Sequence, residues 1–325
     1  LLNSSIFIIF ASLTILGILW IVSLSGNGFI FTVTVRQWLK KRKMPPCEFL
    51  LICLNASRLP TLLNTMAIYF MHLFYSSGRR MMLLIPWVFL NIASLWCVSW
   101  LSIFYCVKVI NFSNSLLLWL KLRLNLLLPK LVGISMVISM VSSLSSIFTF
   151  HQCNEPCNQT VTPPTKHEAE NCMWISFFPL KITFAFINFS VNIAATLLLL
   201  ISLWRHVRNL RKKGTSVQDL NTQIYLKVMR PLLITLLLYL LYIASLITMS
   251  GFLNLQRKQA LTAEIMITIF PAMHPRIIIW TNPKLKNVAL CLRKGSQETC
   301  FLTPVLQAQA PLKGGLERVP GRMLP

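Results

Sequence analysis

PLLITLLLYLLYIASLITMS, residues 231–250, is twenty residues without a single charge, and a bilayer core about 30 Å thick asks for roughly 20 apolar residues in a helix. Six further predominantly apolar runs lie along the chain. With this one extended to 229–253, apolar segments fall near 7–35, 48–75, 82–112, 128–150, 177–204 and 261–281, predicting an all-α membrane protein, a seven-transmembrane helix bundle. Composition agrees: of 325 residues 55% are hydrophobic and 12% charged, with a mean hydropathy of +0.65. A soluble core needs a charged shell that this chain cannot supply. That excludes a soluble enzyme, a disulfide scaffold and a disordered chain, and it leaves receptor, transporter and channel open. The first run is too long for a signal-peptide core and is not preceded by a basic region, so it reads as a retained span.

Lys and Arg number 31 against 8 Asp and Glu. In a soluble chain that excess suggests nucleic acid, but here the cations alternate with the spans. Arg36, Lys40, Lys41, Arg42 and Lys43 follow the first run, Lys108, Lys121, Arg123 and Lys130 surround the loop after the third, and dense clusters occupy 205–230 and the chain beyond Asn282. The opposite side holds only Arg79, Arg80, Lys166, Arg257 and Lys258. Because cations in short loops resist translocation, the N-terminus is expected outside the cell and the C-terminus in the cytoplasm, with no nucleic-acid partner and with membrane lipids as surroundings.

Asn-x-Ser/Thr sequons occur at Asn3, Asn55, Asn111, Asn158 and Asn188. Only Asn3 and Asn158 fall in expected extracellular segments, and Asn158 is the expected glycosylation site because Asn3 is close to the membrane and to the chain start. The segment from His151 to about Ser176 is expected to be the longest extracellular loop. Its His151, Cys153, Cys157, His167 and Cys172 admit disulfide pairing, free thiols or zinc ligation; pairing suits an oxidising compartment best, and no metal or cofactor is assigned.

Polar residues inside spans point to function. Arg58 lies in the middle of the second run, where an Arg costs ~2.5–3.5 kcal/mol on insertion scales, so it must face the bundle. Asn27, between Gly26 and Gly28, and backbone carbonyls near Pro271 are its expected partners. Trp87 and Asn91, four apart, share one face of the third helix. Tyr239 and Tyr242 add aromatic surface with hydroxyl handles in the sixth, and Glu264 is the acid of the seventh, able to accept a cationic or donor group. Singly, each of these is more often packing than ligand contact. Pro275 and Pro283 free backbone carbonyls late in the chain, and Leu285, Val288, Ala289 and Leu292 among Lys284, Lys286, Arg293 and Lys294 predict a short amphipathic helix on the cytoplasmic leaflet.

Four separated motifs carry a family resemblance. Leu54, Ser57 and Arg58 are similar to L-x-x-S-R. Phe104-Tyr105-Cys106-Val107-Lys108-Val109-Ile110-Asn111-Phe112-Ser113 is similar to F-Y-x-x-K-I-A-x-F-S. Ser202-Leu203-Trp204-Arg205-His206 is similar to S-L-x-x-H, and His274 through Asn282-Pro283-Lys284-Leu285-Lys286 is similar to H-S-x-x-L-I-x-x-N-P-K-L-K. Together they resemble the type 2 taste receptors, the bitter-taste family of G-protein-coupled receptors. The D-R-Y, C-W-x-P and N-P-x-x-Y signatures of rhodopsin-like receptors do not occur, and no Cys stands at the top of the third helix to bridge the second extracellular loop. Departures from the family pattern are Pro275 for Ser, Leu210 for Met and Val109-Ile110 for Ile-Ala.

The resemblance implies a bitter small-molecule pocket in the outer half of the bundle, with ligand contacts at Trp87, Asn91, Tyr242 and Glu264. It implies an activation network of Asn27, Arg58, Tyr105, Lys108, His206, Tyr239 and His274, with Tyr239 at the switch position of the sixth helix. It also implies coupling to a heterotrimeric G protein of the gustducin/Gi type, at the plasma membrane and without catalysis. Residues 1–295 form the expected receptor domain and 296–325 a Pro- and Gly-rich tail expected to be disordered. A vomeronasal-type or other chemosensory receptor is the nearer alternative, countered by the motifs of the second and seventh helices. A secondary transporter is the more distant one, and it would need inverted repeats or paired intramembrane acids.

Overall fold

The computed structural model describes residues 2–42, 44–74, 81–109, 115–154, 166–212, 218–251 and 257–293. They form eight helices: α1 (Leu2–Lys41), α2 (Pro46–Phe74), α3 (Met81–Val109), α4 (Ser115–Asn154), α5 (Lys166–Lys212), α6 (Gln218–Gly251), α7 (Arg257–Thr281) and the short α8 (Pro283–Arg293). The expected seven long helices and one short helix are all present, and no strand occurs among the described residues. Asn158 and the tail 296–325 lie outside the described residues, as does the side chain of His206.

The helices outrun the apolar segments that announce them. The segment expected as a loop from His151 to Ser176 is helical at both ends, in α4 to Asn154 and in α5 from Lys166. Likewise α4 begins at Ser115 rather than near 128, and α5 continues to Lys212. Apolarity marks only the stretch that meets lipid, whereas i→i−4 hydrogen bonding continues into polar sequence. At the end of α1, Lys40 and Lys41 complement the helix dipole. Arg42 then takes a left-handed conformation at φ 49° and donates its N–H to the Trp38 carbonyl, a closing turn before Pro45 and Pro46.

Five described helices contain stretches long and apolar enough to cross a bilayer: Phe7–Lys41, Leu83–Lys108, Leu122–Thr149, Pro179–Ser202 and Arg230–Thr248. Helices α2 and α7 are more polar because Asn55, Arg58, Asn64, Glu264 and His274 belong to them. Their polar side chains turn inward. Asn55, Arg58 and His274 are buried, while the surface carries large apolar side chains such as Ile21, Leu126, Val141, Phe148 and Leu237. This is an inverted polarity that only lipid satisfies.

Helix α3 is the central strut, packed against α2, α4 and α5. Side-chain amides and hydroxyls tie it in place. Ser99 Oγ donates to Asn188 Oδ1 at 2.6 Å, Asn192 Nδ2 donates to Ser99 Oγ at 3.0 Å, and Trp100 Nε1 donates to Ser135 Oγ at 2.9 Å. The sequons at Asn55 and Asn188 are thus structural residues, 1% and 0% exposed, and closed to glycosylation. On α4, Ser139, Ser142 and Ser143 satisfy their hydroxyls on carbonyls one turn back, which lets them sit in an apolar environment.

The chain from Ile278 onward is a unit of its own. Within it Asn282 caps α8, its Oδ1 accepting the Lys284 N–H at 3.0 Å with Pro283 in the first helical position. Leu285 and Val288 are buried on one face, while Lys284, Lys286 and Asn287 are exposed on the other.

Candidate functional site

A cavity opens between α1, α2, α3, α5, α6 and α7, near the end where α3 and α7 begin. The centre of a water-sized sphere ranges over about 70 Å³ inside it. A single water needs roughly 10–15 Å³ on that measure, so there is room for several waters or for the core of a small organic molecule.

Trp87 forms one wall. The buried cluster Leu84, Val88 and Ile92 packs against Ile68 of α2 and against Leu180 and Phe184 of α5, which sets the rotation of α3. The Trp87 indole then donates Nε1–H to Thr65 Oγ1 at 3.0 Å. Asn91, one turn further, donates Nδ2 to the Trp87 carbonyl at 2.8 Å and also lines the cavity. The shared face expected from their spacing is the observed one.

Lys181 of α5 is the feature sequence reading passed over. It is 1% exposed, and its Nζ lies 3.8 Å from the centroid of the Trp87 ring, inside the range where an ammonium is attracted to an indole face. Glu264 of α7 lines the same cavity and lies within electrostatic reach of Lys181. A lone ammonium at this depth would be expensive; an aromatic face and a carboxylate charge offset that expense. The available signal was a Lys in an otherwise uncharged apolar run, and a counterpart on another helix is what one-dimensional spacing does not reveal.

The floor is aromatic and cationic. Tyr242 stacks on Tyr239 with centroids 5.8 Å apart, and both pack against Phe270 at 5.7 and 5.1 Å. Tyr242 and Phe270 line the cavity. Tyr239, 2% exposed, sits behind them, and its hydroxyl has no hydrogen-bond partner among the described residues. Arg58 also lines the cavity, its guanidinium 5.3 Å from the Phe270 centroid and its Nη1 3.0 Å from His274 Nδ1. A guanidinium only donates, so Nδ1 must be the acceptor and His274 carries its proton on Nε2.

Asn27 is not the partner of Arg58 that its position suggests. Its Nδ2 donates to the Ser23 carbonyl at 2.7 Å and to the Pro271 carbonyl at 3.2 Å, and Ser23 Oγ donates to the same Pro271 oxygen at 3.0 Å. Pro275 lacks the N–H that Pro271 would otherwise receive, so α1 supplies the missing donors. Of the expected activation network, Arg58, His274 and Tyr239 meet around Phe270, which spacing did not single out. Tyr105 is elsewhere, its hydroxyl 3.3 Å from Cys47 Sγ, and Lys108 lies over Phe104 at 5.4 Å.

Seven long helices, five of them with stretches apolar enough to cross a bilayer and six of them lining a charged aromatic cavity, define a multi-pass membrane protein of the helical-bundle class. The sequence profile described as taste receptor protein (TAS2R) matches residues 2–294. Taste receptor type 2 member 41 of Pan paniscus is 32% identical over 298 residues, covering 86% of this chain and 92% of that protein. The Mus musculus member 41 is 30% identical at 86% and 91% coverage, and taste receptor type 2 member 60 of Gorilla gorilla gorilla is 30% identical at 85% and 90%. The chain therefore belongs to the bitter taste receptor family, the type 2 taste receptors, and is a receptor rather than an enzyme.

Proposed function

We propose that this receptor binds bitter small molecules in the cavity bounded by Trp87, Asn91, Tyr242 and Glu264 and signals to a heterotrimeric G protein of the gustducin/Gi type. The observation that carries the reading is convergence: these four residues, from α3, α6 and α7, line one cavity together with the aromatic and hydroxyl groups expected of a small-molecule site. In this reading the chain starts outside the cell, the cavity faces outward, and Asn158 carries the glycan. An agonist acts by binding more tightly when α6 and α7 adopt the active arrangement, since only differential affinity shifts a population. The aromatic contacts of Tyr239, Tyr242 and Phe270 span α6 and α7 directly beneath the ligand. Exposed cations at Lys108, Arg205 and Arg208 then meet the G protein, which carries the nucleotide exchange.

The test is calcium release in cells supplied with a gustducin chimera and a chemically varied panel of bitter compounds. Trp87→Ala and Asn91→Ala are each expected to lower agonist potency by about tenfold or more, and Glu264→Ala to change it in the direction that the agonist's charge sets, while surface amounts hold. Unaltered potency in all three would move the binding site elsewhere.

A further inference from the structure

The cavity carries two cations and one carboxylate. Lys181 and Arg58 both line it, 1% and 4% exposed, with Glu264 as the acid among the lining residues. His274 accepts from Arg58 as a neutral imidazole, so that hydrogen bond leaves the guanidinium charge standing. The charged groups of the wall and floor therefore sum to one net positive charge. In a site walled by Trp87, Tyr242, Leu95 and Phe270, charges act through a lower effective dielectric than in water. A cationic ligand group would join a cavity already in positive excess, and it would reach Glu264 only in competition with an ammonium built into α5.

We propose that Lys181 makes this receptor selective for aromatic agonists bearing an oxyanion, a carboxylate or sulfonate, which binds the Lys181 ammonium in place of the charge of Glu264 while the ring packs among Trp87, Tyr242 and Phe270. The inference rests on the proposed binding role of the cavity and names the ligand class it takes. It departs from the expectation from sequence that Glu264 accepts a cationic or donor group. The oxyanion brings the cavity to neutrality and gains a charge-assisted hydrogen bond, the strong kind, in a place that excludes most water. The Trp87 face 3.8 Å from Nζ holds the ammonium against the wall, so a donor is already in position before ligand arrives. Glu264 then has a different part from the one its charge suggests: it is the internal counterion that keeps Lys181 tolerable in the empty receptor.

Three probes sharing one ring system test this: naphthoate, naphthamide and naphthylmethylammonium, applied to cells with the gustducin chimera, with surface receptor measured through an N-terminal epitope tag. In the unaltered receptor naphthoate is expected to be the most potent and the ammonium the least. Lys181→Gln is expected to weaken naphthoate by at least about tenfold and naphthamide far less, Lys181→Arg to restore most of the loss, and Glu264→Gln to strengthen naphthoate severalfold. A purely structural Lys181 would not produce that opposite response to Glu264→Gln. Preference for the ammonium, equal response to all three, silence toward all three, or an undiminished naphthoate response in Lys181→Gln overturns the assignment. If Lys181→Gln does not reach the surface, the ranking in the unaltered receptor and the Glu264→Gln response decide. Responses blind to both Trp87→Ala and Asn91→Ala would instead remove the cavity as the binding site, a separate failure from the loss of charge preference.

Discussion

Two buried cations in one bundle are held in different ways. Arg58, on the cavity floor, lies over Phe270 and donates directly to His274 at 3.0 Å, in a setting backed by Asn27, Ser23 and the Pro271 carbonyl. Lys181, on the wall, lies over Trp87 at 3.8 Å and shares an open cavity with its counter-charge Glu264, a residue of intermediate exposure. The floor joins α2 to α7 by a direct polar contact made within the protein itself. The wall balances a charge with groups that a ligand is able to replace. The floor should therefore dominate stability and the wall dominate selectivity, and substitutions in the two regions ought to separate along that line.

The largest effect is expected at the floor. Arg58→Met leaves the His274 acceptor buried without a donor, and His274→Ala leaves a buried guanidinium without its acceptor. Each is expected to cost roughly 2–3 kcal/mol, since stranded groups near charges carry their full desolvation penalty. The double variant removes both partners and should be less damaged than the two single costs added together, with a coupling of about 1.5–3 kcal/mol. Thermal midpoints of the detergent-solubilised receptor measure this cycle. Strict additivity would mean that the contact contributes nothing, and the contrast with the wall would fall.

The physics behind each feature decides how legible it was beforehand. The spans were readable because lipid demands continuous apolarity, and Trp87 with Asn91 because helical periodicity alone puts residues four apart on one face. Glu264 and Arg58 were conspicuous as charges where charges are costly. What a linear pattern lacks is the rotation of one helix against the next. Lys181 was visible as a cation in a span, but its pairing with Trp87 and Glu264 depends on how α5 and α7 turn toward α3. Phe270 looked like any aromatic in an apolar run until Arg58, His274, Tyr239 and Tyr242 gathered around it. Asn27 was assigned to Arg58 because both are polar and deep; Pro275 makes the Pro271 carbonyl the stronger claim on its amide. Helix ends were misjudged at α4 and α5 for a different reason, because polarity marks where lipid stops and not where a helix stops.

A smaller effect should appear where α1 backs the floor. A Cβ placed on Gly26 would lie 3.1 Å from Pro275 Cβ, tighter than ordinary packing, and relief would push α1 away from the Pro271 carbonyl that Ser23 and Asn27 serve. Gly28 provides the internal control, having nothing within 4 Å of the same position. Gly26→Ala is expected to cost about 1 kcal/mol through overpacking. Gly28→Ala should be neutral or stabilising by a few tenths up to about 1 kcal/mol, because alanine favours helix over glycine. Equal midpoints for the two would show that the floor does not depend on close approach of α1.

The finest separation of floor from wall comes from Thr65→Val. Valine keeps the shape of threonine but removes the acceptor of the Trp87 indole N–H, a contact of 3.0 Å at the rim of the cavity. One neutral hydrogen bond is worth about 0.5–1.5 kcal/mol net, and here the cavity gives the indole access to water as a substitute, so the thermal midpoint should hardly move. The Trp87 ring, however, loses the bond that fixes its face beneath the Lys181 ammonium, and agonist potency should fall severalfold through poorer preorganisation. Thr65→Val thus ought to reverse the profile of Gly26→Ala: potency lost with stability kept, against stability lost with the Trp87–Lys181 wall intact. If Thr65→Val instead destabilises the receptor as strongly as Arg58→Met, wall and floor form one cooperative unit, and stability and selectivity cannot be tuned apart.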